Sequence, residues 1–209
     1  MPHVALLGDS IFDNGAYVPV GPAFVDQLRA VLPEDWDVSL LAVDGYVTAS
    51  VEVQLAELPE DATHIVVSCG GNDALWHMPV LSERAHSVAE VLDRFYGIRS
   101  DFRQKYRRML EKVIATKRDI TVCTIYDCIP DLEPRAHAAL SMFNEVILRE
   151  AIAARVTIID LRLVCSEKTD YSELSPIEPS RMGGDKIAKV LGDLLLGTSS
   201  PGNVVKFHV

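Results

Sequence analysis

The sequence predicts an α/β fold in three layers, with helices covering both faces of a sheet of five parallel strands. Short β-branched apolar runs alternate with amphipathic stretches along nearly the whole chain, an order typical of parallel strands joined by helices. The apolar runs are continuous, which indicates strands that are buried on both faces of the sheet. With 209 residues, the chain is long enough for one domain with a full core.

Five segments are predicted to be strands, which is enough for a flavodoxin-like sheet. They are residues 3–7, 37–43, 64–69, 120–126 and 156–161. We expect them to belong to a single domain over residues 1–197, followed by a C-terminal tail over residues 198–209. The Ser-Ser-Pro-Gly run at 199–202 is typical of a linker. Val204 to Phe207 is predicted to pair either as an edge strand or with another subunit, which would give a homo-oligomer.

The helices are predicted from apolar periodicity and from capping residues. The first two are expected at residues 22–33 and 51–58, and the last two at residues 133–155 and 187–195. Between these pairs, Ser100 is predicted to cap a helix whose apolar face runs from Phe102 to Ile114. Residues 77–97 are predicted to contain a loop and a separate short helix that roofs a pocket.

Composition excludes several classes of protein. Thirty acidic residues against twenty basic ones give a net charge of −10, which disfavours nucleic-acid binding. The apolar runs are far shorter than the roughly 20 residues that span a bilayer. Since no basic, apolar leader is recognisable at the N-terminus, we expect a cytoplasmic protein. The four cysteines form no C-x-x-C pair, so buried free thiols are expected, with no metal site and no cofactor.

Small and polar residues follow three of the predicted strands. These are Gly8-Asp9-Ser10, Asp44-Gly45 and Gly70-Gly71-Asn72-Asp73. Because ligands in open parallel sheets bind beyond the carboxyl ends of the strands, these segments are expected to form the site. Ser10 would expose a nucleophilic hydroxyl, while the Gly45 N–H and the Asn72 amide would stabilise a developing oxyanion. Each segment taken singly is also common in ordinary turns, and it is their combination that carries the hypothesis.

In this order, the three segments resemble the SGNH hydrolases, also called the GDSL family of esterases and lipases. The resemblance spans nearly the full chain and includes Leu41 to Gly45 as the glycine block. It implies an α/β/α fold, with Ser10 as the acyl-accepting nucleophile. It also implies that the Ser10 N–H, the Gly45 N–H and Asn72 donate to the oxyanion.

The C-terminal part of the chain departs from the family pattern. Family members carry Asp-x-x-His-Pro there, whereas this chain reads Ser175-Pro176-Ile177-Glu178-Pro179. Glu178 therefore stands in place of the catalytic histidine, and Ser175 in place of the aspartate that orients it. An unperturbed glutamate side chain is about 3 kcal/mol less basic than an unperturbed histidine, but burial can raise the pKa of a glutamate by several units. The base is predicted to be Glu178 or, alternatively, His77.

Three residues near the predicted site are candidates for contact with substrate: Asn14, Tyr46 and His77. Tyr17 is an alternative to Asn14, because both follow the nucleophile in one long loop. Trp76, Met78 and Tyr46 are expected to be packing residues rather than substrate walls, with an apolar acyl-binding pocket as the alternative.

These observations favour a serine acylhydrolase with an atypical base, acting on a small ester or acylated molecule. The alternative is a catalytically disabled relative that binds an acylated or carbohydrate ligand in the same pocket. A third hypothesis, a flavodoxin-like phosphate or nucleotide binder, rests only on sheet topology and the glycine-rich strand ends. It is disfavoured because no phosphate-binding glycine motif follows the first strand.

Overall fold

Six strands form a single sheet in the computed structural model of the chain, which describes residues 1–198 and 202–206. The strands are His3–Gly8 (β1), Asp37–Leu40 (β2), His64–Ser68 (β3), Asp119–Cys123 (β4), Thr157–Ile159 (β5) and Val204–Val205 (β6). Their order is β2-β1-β3-β4-β5-β6. The five predicted strands are all present and parallel to one another, which confirms the predicted α/β class.

The sixth strand corrects the predicted count of five. It runs antiparallel to β5, with Val204 opposite Ile159 and Val205 opposite Ile158. Of the two alternatives predicted for the tail, these residues take the edge strand of the chain's own sheet. The linker residues 199–201 and the residues from Phe207 onward lie outside the described part of the chain. The homo-oligomer stays a prediction.

Helices cover both faces of the sheet. Their bounds are Phe24–Val31 (α1), Val51–Ala56 (α2), Gly71–Trp76 (α3), Val88–Ala115 (α4), Pro134–Ala154 (α5), Leu161–Val164 (α6) and Arg181–Leu195 (α7). Helices α1 and α7 pack together on one face around Phe24, Leu28 and Leu191. Helices α4 and α5 pack on the other face around Phe102 and Ile147.

The prediction of a helix starting after Ser100 is wrong. A single helix, α4, runs without interruption from Val88, and its N-cap is Ser87, whose hydroxyl accepts a hydrogen bond from the Glu90 N–H at 3.1 Å. The reason is that apolar positions 95, 98, 102, 106 and 109 keep one continuous helical spacing across Gly97 and Ser100. The expected roof is therefore a short 3₁₀ turn, Met78–Ser82, together with the first turns of this long helix.

Strand order reverses between β1 and β3, because β1 pairs with β2 on one side and with β3 on the other. In open parallel sheets this switch point is where ligands bind. The segments that follow β1 and β3 are those that carry Ser10 and Asn72. No helix in residues 1–198 and 202–206 is long and apolar enough to cross a membrane.

Candidate active site

Gly8 directs the chain from the end of β1 toward Ser10. Its φ is +127°, and a Cβ added there would lie 1.7 Å from the Ser68 carbonyl oxygen, so only glycine fits. The Gln54 side chain holds both polar backbone groups of Gly8, with its amide oxygen and nitrogen each at 2.7 Å. The Asp9 N–H then donates to the Ser68 carbonyl at 3.1 Å. These bonds fix the direction in which the chain presents Ser10.

The segment containing Gly45 meets the one containing Asn72. Gly45 lies in a tight turn with φ +78°, which the Tyr46 N–H closes onto the Val43 carbonyl at 3.2 Å. The Asn72 side-chain amide donates to the Tyr46 carbonyl at 2.9 Å. Since the Val43 N–H also donates to the Gly8 carbonyl at 3.2 Å, the turn is joined to the start of the Ser10 segment as well.

Several N–H donors at this meeting point are free. Within the described residues, the backbone N–H groups of Ser10 and Gly45 donate to no protein acceptor. The Asn72 amide has two hydrogens, of which one is donated to Tyr46. Three donors are thus available on the three predicted segments, which hydrogen bonds join beyond the ends of β1 and β3.

Glu178 is held by a network of bonds around its loop. Its carbonyl accepts from the Ser172 N–H at 2.8 Å, and its own N–H donates to the Ser175 carbonyl at 3.0 Å. The preceding Ile177 carbonyl accepts from the Tyr126 hydroxyl at 2.6 Å. The carboxyl is therefore positioned by the backbone of its own loop. The Ser175 side chain makes no hydrogen bond within the described residues.

The Glu178 carboxyl is buried next to Ser10. Only 4% of the residue is exposed, and its Oε2 has no hydrogen-bond partner among the described residues. Burial raises the pKa of Glu178 to about 7, and the charge of Asp44 acts in the same direction. The neighbouring Ser10 hydroxyl opposes this increase in pKa, because it favours the ionised form of the carboxyl. At neutral pH, this carboxyl can therefore accept a proton and release it.

Asp9 is a second buried carboxyl beside Ser10. Burial raises its pKa to about 8, and the charges of Glu178, Asp73 and Asp44 contribute to this increase. The Ile11 N–H opposes the shift by donating to Asp9 Oδ1 at 3.2 Å. At neutral pH the Asp9 carboxyl is thus mostly protonated. Its bond to the Ile11 N–H orders the turn that contains Ser10.

We expect the buried Asp9 to make the protein less stable as pH rises from about 4 to about 8. Over this range the unfolded chain releases the Asp9 proton, while the folded chain retains it because its pKa is raised to about 8. The Asp9→Asn variant keeps the acceptor for the Ile11 N–H but cannot ionise. Its melting temperature should therefore fall less steeply with pH than that of the wild type.

The matched control is Asp35→Asn, which removes a carboxyl from an exposed position. Its melting curves should keep the wild-type slope against pH. If Asp9→Asn and the wild type also gave parallel plots of melting temperature against pH, Asp9 would have to be ionised in the folded protein.

His77, the alternative base, lies in the wall of the same cavity as Ser10 and Glu178. Its ring centroid is 6.3 Å from that of Phe143, and its ring makes no hydrogen bond within the described residues. His3, by contrast, lies at the start of β1, where its ring contacts Asp61 at 3.0 Å and Ser39 at 2.8 Å. Of these groups, Glu178 is the one whose pKa the Ser10 hydroxyl shifts.

The other two candidates for substrate contact occupy different environments. Asn14 is fully buried; it accepts from the Phe24 N–H at 2.8 Å and donates to the Pro179 carbonyl at 3.4 Å. It thereby joins the loop after the nucleophile to the residue next to Glu178. Tyr46 is exposed at the edge of the Gly45 turn. Tyr17 is half-buried, and its hydroxyl donates to Asp44 at 2.8 Å.

A cavity of about 210 Å³ opens beside these groups. Asp9, Ser10, Asn72 and Glu178 line its polar part. The rest of the wall is mainly apolar and comes from the 3₁₀ turn at 78–82, from α4 and α5, and from the segment after β4.

Sequence reasoning missed Gln54 and Tyr126. Gln54 bonds to Gly8 in the Ser10 segment, and Tyr126 bonds to Ile177 next to Glu178. Gln54 lies on the short helix α2 and is buried there, and a buried polar residue cannot be told from an exposed one in a single sequence. Leu140 and Phe143 lie on the apolar face of α5, and helical spacing alone indicates core packing for them. They do pack in the core, but they also line the cavity, and helical spacing is the same in both situations.

Residues 6–183 match the sequence model of the GDSL-like lipase/acylhydrolase family. No curated protein matches the sequence. Among solved structures, the fold is similar to that of the lipase Lip_vut3 from a goat rumen metagenome, at 22% identity and a TM-score of 0.69, covering 90% of this chain and 95% of that one. A lipase/acylhydrolase from Enterococcus faecalis has 17% identity and a TM-score of 0.67, with both chains covered completely. An acetyl xylan esterase from Geobacillus stearothermophilus, the variant Axe2-W215I, has 16% identity and a TM-score of 0.65, covering 91% and 92% of the two chains.

Proposed function

Because the chain belongs to the GDSL-like lipase/acylhydrolase family, a family of ester hydrolases, we propose that it cleaves carboxylic esters with Ser10 as nucleophile and Glu178 as base. The Ser10 N–H, the Gly45 N–H and the Asn72 amide are the donors to the oxyanion. A dyad of serine and carboxylate thus replaces the serine, histidine and aspartate of the family pattern.

The first half of the reaction transfers the acyl group to the enzyme. Glu178 takes the proton from the Ser10 hydroxyl while Oγ attacks the ester carbonyl carbon. The carbonyl oxygen becomes an oxyanion and receives hydrogen bonds from the three donors. When this intermediate collapses, the bond to the alkoxy oxygen breaks, and the alcohol leaves with the proton that Glu178 had taken.

The second half releases the acid. A water molecule attacks the acyl carbon while Glu178 accepts its proton, and a second oxyanion forms at the same donors. Collapse breaks the bond to Ser10 Oγ, which regains the proton from Glu178. The carboxylic acid is released and the enzyme returns to its starting protonation state.

The observation that carries this proposal is the environment of Glu178. It is the buried carboxyl that interacts with Ser10, and its pKa is raised to about 7. A general base works best when its pKa is near the working pH. A carboxylate also needs no partner to select a tautomer, so the loss of the aspartate at Ser175 does not disable it. Glu178 Oε2 remains free to accept the proton.

The direct test is covalent labelling of Ser10 by a fluorophosphonate. We expect intact-mass analysis to show one added phosphonyl group, peptide mapping to place it on Ser10, and Ser10→Ala to abolish it. The rate of labelling should increase with pH around pH 7, because the ionised Glu178 carboxylate activates the hydroxyl.

The same measurement distinguishes the alternative of a disabled relative that only binds a ligand. Folded wild-type protein that stays unlabelled from pH 5 to pH 9, and that turns over no ester in a panel of chain lengths, would favour this alternative. In that case, ligand binding by calorimetry should be unchanged in Ser10→Ala.

A further inference from the structure

We propose that the ester cleaved by this protein carries an unbranched acyl chain of medium length, bound in the apolar cavity beside Ser10, with Ala139 setting the space for it. This inference rests on the proposed function, because it assumes that Ser10 receives the acyl group. It specifies the substrate class, which the catalytic mechanism alone does not determine.

The cavity has a polar end and an apolar remainder. Apart from Asp9, Ser10, Asn72, His77 and Glu178, the lining side chains are apolar or, like Tyr126, have their polar atom bonded elsewhere. Ser10 and Glu178 lie together at the polar end. An acyl carbon attached to Ser10 would thus have its carbonyl oxygen near the amide donors and its chain directed along the apolar wall.

The apolar wall is built by several separate segments of the chain. It includes Leu81 in the 3₁₀ turn, Phe95 and Ile98 on α4, and Leu140 and Phe143 on α5. Phe143 is packed against Phe102 at 4.7 Å between ring centroids, which anchors this side of the wall to the core. The wall therefore presents a stable apolar surface to a chain.

The size of the cavity sets the length of the chain. A volume of about 210 Å³ accommodates six to eight groups the size of a methylene, if each needs roughly the 30 Å³ that a water molecule occupies. An acetyl group would leave most of this apolar space without a partner. Each methylene placed in it should raise kcat/KM by up to about fourfold, until the cavity is full.

Two alanines on α5 make this space available. Ala136 and Ala139 lie one helical turn apart and both line the cavity. A larger side chain at Ala139 would project into the volume that the acyl chain needs. Its neighbour Ala138 is exposed and is not part of the lining, so it provides a matched control on the same helix.

The experiment measures kcat/KM for p-nitrophenyl esters from acetate to dodecanoate with the wild type, Ala139→Leu and Ala138→Leu. We expect the wild type to prefer hexanoate or octanoate to acetate by at least tenfold. Ala139→Leu should lower the octanoate-to-acetate ratio of kcat/KM at least fivefold. Ala138→Leu should keep the wild-type ratio.

Failure of this inference is distinguishable from failure of the proposed function. If Ser10 is labelled by a fluorophosphonate and esters are cleaved, but acetate is the best substrate or Ala139→Leu leaves the ratio unchanged, the acyl assignment is overturned and the hydrolase remains. If Ser10 is not labelled and no ester is cleaved, the proposed function fails and the acyl assignment fails with it. Should Ala139→Leu misfold, the smaller substitution Ala139→Val replaces it, and its melting temperature shows whether it is folded. We expect Ala139→Val also to lower the octanoate-to-acetate ratio.

Discussion

The Glu178→Gln variant should lose about 10²–10⁴-fold in kcat/KM for ester hydrolysis, the usual contribution of a general base. Glutamine has nearly the shape of glutamate but cannot accept a proton at neutral pH. The loss should fall mainly on kcat, because Glu178 acts in the proton transfers and not in binding the ester. Steady-state kinetics with a saturable ester substrate measure both parameters.

The pH profile identifies the group that is responsible. Because only ionised Glu178 accepts a proton, the kcat/KM of the wild type should rise with pH and reach half of its maximum near pH 7. The charge of Asp44 raises the pKa of Glu178, so Asp44→Asn should move this midpoint to lower pH. The residual activity of Glu178→Gln should lack the transition altogether.

Two controls separate catalysis from folding. Glu173→Gln changes an exposed carboxyl on the same loop and should keep wild-type kinetics. Glu178→Gln removes a buried charge, so its melting temperature at pH 8 should be no lower than that of the wild type. A folded Glu178→Gln with wild-type kcat would exclude Glu178 as the base and would favour His77 in that role.

The strands were predictable because parallel strands covered on both faces read as continuous apolar runs. All five came out within a few residues of their true bounds, and small residues after β1 and β3 marked where the site would lie. Helix boundaries were harder to predict than strand boundaries. Ser100 has the chemistry of an N-cap, but the apolar stripe of α4 continues through it, and packing against α5 favours one long helix.

The site was predictable in its residue types but not in its environment. The sequence placed a carboxyl at position 178, yet its basicity depends on burial by side chains from several distant segments. Asn14 illustrates the same limit: its position after the nucleophile suggested substrate contact, whereas in the structure both polar atoms of its side chain bond to Phe24 and Pro179. A sequence fixes which groups are available, but desolvation and hydrogen bonding are set by three-dimensional packing.

The Asn72→Ala variant should lose about 10²–10³-fold in kcat, the usual effect of removing one donor from an oxyanion hole. The free hydrogen of its amide is the one side-chain donor proposed here, beside the two backbone N–H groups of Ser10 and Gly45. Backbone donors cannot be deleted by substitution, so Asn72 offers the direct measurement of this part of the mechanism.

The hydrogen bond from Asn72 to the Tyr46 carbonyl complicates this test, because its loss could also displace the Gly45 turn. The two effects differ in what they change. Loss of the donor alone weakens the transition state, so kcat and the rate of fluorophosphonate labelling should fall by similar factors while KM and the melting temperature change little. Displacement of the turn would also raise KM or lower the melting temperature. Equal kcat values for Asn72→Ala and the wild type would rule out Asn72 as an oxyanion donor, since an amide that stabilises the developing charge cannot be removed without slowing the chemical step.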